Sequence, residues 1–169
     1  DDIPVLTFIK AARLYVEKFT GRSLITRTVQ QFLDTSAATL DPLYEGMRVG
    51  VLARPYANYI ELAASPVISV TSVNYYNDSD TQSTWATSNY YVDNVSDLGR
   101  IYLRDGGTFP TDLRAANGLE INYTAGFGTA RSDIPSDLKL AMLQYMTFAY
   151  EHRGEQEGNA PPMLPKILN

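Results

Sequence analysis

The sequence predicts an α+β protein: a helical core built from the two ends of the chain, with an antiparallel β-rich domain inserted between them. Three observations carry that expectation. Apolar residues recur at helical spacing over residues 3–20 and again over 135–153. Between about 26 and 124, short runs of β-branched and aromatic residues alternate with turn-forming clusters. At 169 residues the chain has the length of one ordinary domain and can bury a substantial core. The expected organisation is one domain over 1–154 followed by an extended tail over 155–169.

In the first helix, Val5, Phe8, Ile9, Ala12, Tyr15, Val16 and Phe19 fall on one face, while Lys10, Arg13, Glu17 and Lys18 mostly take the other. Asp1 and Asp2 stand where carboxylates satisfy free amides, and Gly21 follows as the stop. Residues 26–33 and 59–62 suit strands. The 25 residues from Asp34 to Asn58 form a long loop, and Leu43, Tyr44, Met47, Val49, Val51 and Leu52 predict that it packs on something. After Pro66 come PVISVTSVNYY, STWATSNYYVD, GRIYL and GLEINYTAG, four further strand segments. In the last, Leu119, Ile121 and Tyr123 alternate with Glu120 and Asn122, the pattern of a sheet with one buried face.

Pro135 suits the first turn of the closing helix, Asp133 or Ser136 can cap it, and Gly154 follows its end. Leu138, Ala141, Met142, Tyr145, Phe148 and Ala149 form one stripe, but Leu140, Leu143, Met146 and Tyr150 lie largely outside it. A helix that is apolar on more than one side is either enclosed by its own domain or covered by another chain. Both readings stay open at this point. The tail GEQEGNAPPMLPKILN ends with Met163, Leu164, Ile167 and Leu168 among three prolines, which favour an extended course over a continuous helix. Four large apolar residues gain nothing in solvent, so the tail is expected to dock on a neighbour or partner. These eight apolar residues of helix and tail are the candidate interface set.

Chemistry is sparse. The chain has no cysteine, which excludes disulfides, thiolate metal sites and cysteine nucleophiles. Its single histidine, His152, sits between Glu151 and Arg153 with no GxSxG elbow to serve. Zinc would have one imidazole and otherwise only carboxylates. The turn GFGTARSD lacks the Lys-Ser or Lys-Thr of a phosphate loop and the third glycine of a dinucleotide fingerprint. Gly126 and Gly128 therefore read as glycines that let a strand turn sharply into a helix. NDSD at 77–80 lacks the third ligand, central glycine and closing glutamate of a calcium loop, and reads as a hairpin turn. Sequons at Asn77, Asn94 and Asn122 are close to chance in so Ser/Thr-rich a chain. No catalytic residue, no metal site and no cofactor is expected.

A net charge of -5 argues against general nucleic-acid binding, because phosphate contacts need clustered Lys and Arg. Residues 1–27 are the local exception, with Lys10, Arg13, Lys18, Arg22 and Arg27 against Asp1, Asp2 and Glu17. Such a surplus meets an acidic partner surface or forms a solvated helix face, with the second the simpler reading. No apolar run reaches the roughly 20 residues that span a bilayer, so no membrane role is expected. The chain opens on Asp rather than Met, and further N-terminal residues are expected to precede it.

Taken in order, IKAARLYVEKFTGRSLITRTV, IELAASPVISVTSVNYY, YYVDNVSDLGRIYL and LEINYTAGFGTARSDIPSDLKLAMLQYMTFAYEHRG resemble the head-tail connector proteins of tailed bacteriophages, also called head completion or neck adaptor proteins. The resemblance runs from about Ile3 to Gly154, and its most specific part is the ordered combination of AARLYVEKFTGR, a Pro-led strand pair, and YTAGFG followed by IPSDLKLA and YEHRG. It implies a non-enzymatic structural protein of the virion neck, made in the bacterial host cytoplasm. It also implies a homo-oligomeric ring, typically of twelve copies, beneath the portal protein. Such a ring meets a downstream neck or tail completion protein and lets DNA pass without sequence-specific binding. In that family helices make the ring wall, inserted strands make a peripheral β domain, and the C-terminal segment commonly reaches the portal. The 34–58 loop is larger than the family pattern.

Elementary physics agrees. A ring repeats one heterologous contact around an axis, so each subunit needs two different patches. A channel lined with Lys and Arg would hold passing phosphates, which a net acidic chain avoids. Two other classes compete. One is a β-rich ligand- or glycan-binding adhesion module of a virion, using Trp85 and neighbouring tyrosines; the other is a hydrolase using Asp78, Asp80 or other carboxylates with a metal.

Overall fold

The computed structural model describes residues 3–34 and 59–151. The expectations for Asp1 and Asp2, for the 35–58 stretch, for His152 and for the tail, Met163, Leu164, Ile167 and Leu168 included, lie outside the described residues. The chain is mixed α+β and divides into two compact units, residues 27–125 and the residues on either side of that stretch.

The helical unit holds helix α1 (Ile3–Thr20) and helix α2 (Ser136–Glu151). Helix α1 stops where the sequence places its stop: the Thr20 hydroxyl turns back to the Val16 carbonyl at 2.8 Å, and Gly21 takes φ 68°. The chain then reverses, and the Leu24 N–H donates to Glu17 Oε1 at 2.9 Å. That bond drops Leu24 into the core beside Val16, Leu138 and Ala141. Ala12 and Ala141 are fully buried, and small side chains there suit a close helix pair. Tyr15 stacks on Tyr145 with ring centroids 4.8 Å apart, and Phe8 meets Tyr150 edge-on at 6.3 Å.

Helix α1 departs from expectation on its flanks. Val5, Ile9 and Phe19 belong to the apolar face read from the sequence, yet each is exposed, as are Leu6 and Leu14. The reason is width. Among the described residues α1 has one helix to pack against, which covers the line through Ala12 and Val16 and not a broad face.

The expected cap of α2 is also relocated. Asp133 Oδ2 accepts the Ala130 N–H at 2.9 Å, so its carboxylate closes a short 3-10 turn over Arg131–Asp133. Pro135 stands just before the helix and its carbonyl accepts the Lys139 N–H at 3.2 Å. A side chain at Gly128 would run into Asp133, and one at Gly126 would fall 2.6 Å from the backbone of Thr26. Both glycines take positive φ, as the sharp turn from strand to helix suggests; Gly126 also admits the Thr26 backbone, and Gly128 leaves room for the Asp133 side chain.

Among the described residues every strand pairing of the β unit is antiparallel. Its strands are β1 (Arg27–Leu33), β2 (Tyr59–Glu61), β3 (Val67–Tyr76), β4 (Gln82–Thr84), β5 (Tyr90–Asp93), β6 (Arg100–Leu103) and β7 (Leu119–Ala125). One sheet runs β1-β7-β3-β4 and the other β2-β6-β5. Ile60, Val73, Trp85, Ile101, Ile121 and Tyr123 are among the residues that meet in a shared core. Burial of such side chains contributes about 1.5–3 kcal/mol each, before chain entropy opposes it. The segment STWATSNYYVD is two strands and not one, because Trp85 turns inward and a 3-10 turn over Thr87–Asn89 intervenes.

Candidate functional site

On the helical unit the two helices and the turn before α2 enclose a groove of about 490 Å³. Its apolar floor comes from Ile9 on α1, Leu24 and Ile25 after it, and Met142, Leu143 and Met146 on α2. Its cations are Lys10, Arg13, Arg131 and Lys139, and no carboxylate lines it among the described residues. The spacing explains the arrangement: Ile9, Lys10 and Arg13 follow one side of α1, while Lys139, Met142, Leu143 and Met146 follow one side of α2. The Nε of Arg13 is buried and has no hydrogen-bond partner among the described residues.

A shallower groove of about 260 Å³ adjoins the other ends of the helices, lined by Val5, Phe8, Leu143, Met146 and Tyr150 among others. The four α2 residues singled out from sequence can now be placed. Leu143 is 56% exposed and Tyr150 50%. Leu143 and Met146 border both grooves, Tyr150 only the second. Leu140 is 49% exposed and borders neither. Sequence reading missed the contribution of α1, whose Val5 and Ile9 it assigned to the core. The available signal was quantitative: two helices with wide apolar faces cannot cover each other completely.

The β unit holds the most elaborate polar cluster, around Glu120 on β7. The carboxylate is buried and accepts from Tyr76, from Gln30 at 2.9 Å and from Asn122 at 2.6 Å. The Tyr76 hydroxyl, then Asn122, hold the Glu120 carboxyl below the usual range, against the opposing effect of burial. The same bond raises Tyr76 above the ordinary phenol value. A carboxylate stabilised in this way is a poor proton acceptor, so the cluster is built for holding strands together. The alternation expected for β7 is therefore modified: Glu120 points to the polar face but is covered by Tyr76, Gln82 and Asn122.

Trp85 is 4% exposed, donates its indole N–H to the Thr108 carbonyl at 3.0 Å, and packs on Tyr90 and Phe109. It is a core residue and offers no stacking platform for a sugar. Asp80 pairs with Arg114 at 2.7 Å, and Asn77 Oδ1 accepts the N–H groups of Ser79 and Thr81, closing the expected hairpin turn. Among the described residues no group of three His, Cys, Asp or Glu side chains could hold a metal ion. No described helix is long and apolar enough to cross a membrane.

No protein-family model and no curated protein matches the sequence. Solved structures do. A chain from the neck of an empty gene transfer agent (GTA) particle, computed with C6 symmetry, superposes with a TM-score of 0.73 at 22% identity, covering 99% of this chain and 75% of that one. A chain from the neck of the native GTA particle, computed with C12 symmetry, gives 0.71 at 22% identity, covering 98% and 79%. A chain from the virion of the native GTA particle gives 0.72 at 22% identity over 99% and 75%. The chain thus shares its fold, nearly end to end, with chains of virion necks.

Proposed function

We propose that this protein is a structural neck adaptor of a phage-like particle, assembling as a ring that joins the head to the tail and continues the DNA path. The observation that carries the reading is the fold shared over 98–99% of the chain with chains of particle necks computed with C6 and C12 symmetry. The exposed apolar flanks of α1 and α2 support it, since a ring repeats one contact between two different patches and needs surface to spend on it. The tail residues Met163, Leu164, Ile167 and Leu168 are proposed to reach the portal. The work of the protein is geometric: docking on the portal, presenting a new surface to the next neck or tail component, and leaving DNA unbound.

Mass measurement in solution tests this. The protein is measured with and without a portal ring from the same genome, as the full chain and truncated after Gly154. Ring-sized assembly that needs the tail for portal docking is the expected result. A protein that stays monomeric at high concentration, with and without the portal ring, refutes the adaptor reading, and equal docking by the truncated chain refutes the role of the tail.

A further inference from the structure

The basic-rimmed groove of the helical unit has a chemical counterpart elsewhere on the same chain. The end of β5 and the loop after it read Asp93-Asn94-Val95-Ser96-Asp97-Leu98, and Val95 is 93% exposed, the most exposed large hydrophobic residue among the described residues. The loop is not loose. Asp93 Oδ1 accepts the N–H groups of Val95 and Ser96, each at 3.1 Å, and Asp93 Oδ2 accepts the Ser96 hydroxyl at 2.6 Å. Asn94 donates to the Ile68 carbonyl at 3.3 Å. A tight turn thus holds Val95 proud, with Leu98 43% exposed nearby and the acidic residues Asp93 and Asp97 two positions to either side in the sequence.

We infer that this loop of one copy docks into the groove of a second copy. Val95 and Leu98 meet the apolar floor of Ile9, Met142, Leu143 and Met146, and the Asp93 and Asp97 carboxylates face Lys10, Arg13, Arg131 and Lys139. The match is double. The groove is apolar with cations and no lining carboxylate, and the loop is apolar with carboxylates. Pre-organisation of the loop reduces the ordering cost that a flexible occupant would bring. Opposite charges would set the register of the contact and speed its formation. Knob and groove are different patches, so the contact is heterologous and repeats from copy to copy, as a closed ring requires. The inference rests on the ring reading and specifies which surfaces meet.

The absence of native cysteine makes the test clean. Val95→Cys and Leu143→Cys are made separately, both at exposed positions that the fold tolerates. The two variants are mixed and oxidised, alone and with the portal ring, and each is also oxidised by itself. A two-chain product that forms at least ten times faster in the mixture than in either variant alone is the expected result. The doubly substituted chain should then give a ladder of covalent multimers. Asp97→Lys should slow cross-linking about tenfold, with recovery when the groove copy carries Lys139→Glu. Mixed chains that cross-link no faster than single variants overturn the inference, and so does a doubly substituted chain that closes only on itself. Sedimentation of the unsubstituted protein separates the two failures. Ring-sized assembly without the mixed product removes this contact and leaves the ring, whereas no assembly and no product removes both.

Discussion

The phenolic oxygen of Tyr123 accepts the backbone N–H of Ala64 at 2.9 Å, and Tyr123 is fully buried. Its hydroxyl in turn reaches Gln31 Oε1 at 3.3 Å, and that amide accepts the Ala63 N–H at 2.9 Å and donates to the Glu61 carbonyl at 3.1 Å. One side chain on β7 and one on β1 thereby tie the four-stranded sheet to the chain leaving β2 in the three-stranded sheet. Tyr123→Phe keeps the ring and deletes the acceptor, leaving the Ala64 N–H buried without a partner. The expected cost is about 1–3 kcal/mol. Tyr91→Phe, at a 45% exposed position, should stay within about 0.5 kcal/mol. Urea unfolding of both variants measures the contrast, and equal midpoints would contradict it.

Glu120 makes the stability of the β unit dependent on pH. Its folded carboxyl titrates below the unfolded value, chiefly because the Tyr76 hydroxyl donates to it, with Asn122 second. For a lowered carboxyl the stabilisation is fully present above the unfolded value of about 4.3 and is lost as pH falls through the folded one. Wild type should therefore lose its advantage over Glu120→Gln on acidification below about pH 4.3, while the gap between them is constant from pH 6 to 8. Unfolding midpoints across pH 2–8 measure it. A gap that widens on acidification would show that the carboxylate is not the stabilised form.

Two glycines in positive-φ conformations should respond differently to a methyl group. At Gly126, φ is 138° and an added Cβ falls 2.6 Å from the N and Cα of Thr26, both backbone atoms that cannot rotate aside. At Gly21, φ is 68° and, among the described residues, nothing lies within 4 Å of an added Cβ. Gly21→Ala bears only the left-handed strain, about 1–2 kcal/mol. Gly126→Ala must also move a strand end, and its loss of thermal stability should be at least twice as large. Comparable melting temperatures for the two variants would sink the claim that close approach governs Gly126.

How much of this was legible in the sequence follows from range. The bounds of helix α1 were readable because periodicity and the Gly21 stop are local, and the apolar side of β7, Leu119, Ile121 and Tyr123, was readable because its period is intrinsic to a strand. Trp85 stood open to a surface platform only in the competing adhesion reading, because nothing local shows that Thr108 and Phe109, more than twenty residues later, supply its acceptor and its stacking partner. Glu120 was read as the solvent side of β7 for the same reason: its donors Gln30, Tyr76 and Asn122 come from three strands. The groove was half legible. Leu143 and Met146 stood out as surplus apolar residues on α2, but Ile9 and three of the four cations, Lys10, Arg13 and Arg131, come from α1 and the turn before α2.

Helix α2 offers the sharpest separation of folding from assembly. Ala141 is fully buried against the helical core, while Leu143, two positions on, is 56% exposed and borders both grooves. Ala141→Leu adds volume where the core has none to give and should cost about 1–3 kcal/mol of stability. Leu143→Glu removes no buried contact of that kind, so its unfolding midpoint should shift by no more than about 0.5 kcal/mol. In the proposed ring, however, Leu143 belongs to the floor inferred to receive the neighbour, and a carboxylate there would both lack an apolar partner and face the incoming Asp97. Leu143→Glu should therefore abolish ring assembly in sedimentation while leaving the monomer as stable as wild type. If it unfolds as readily as Ala141→Leu, its side of α2 is core rather than docking surface, and the apolar face must be explained within the single chain.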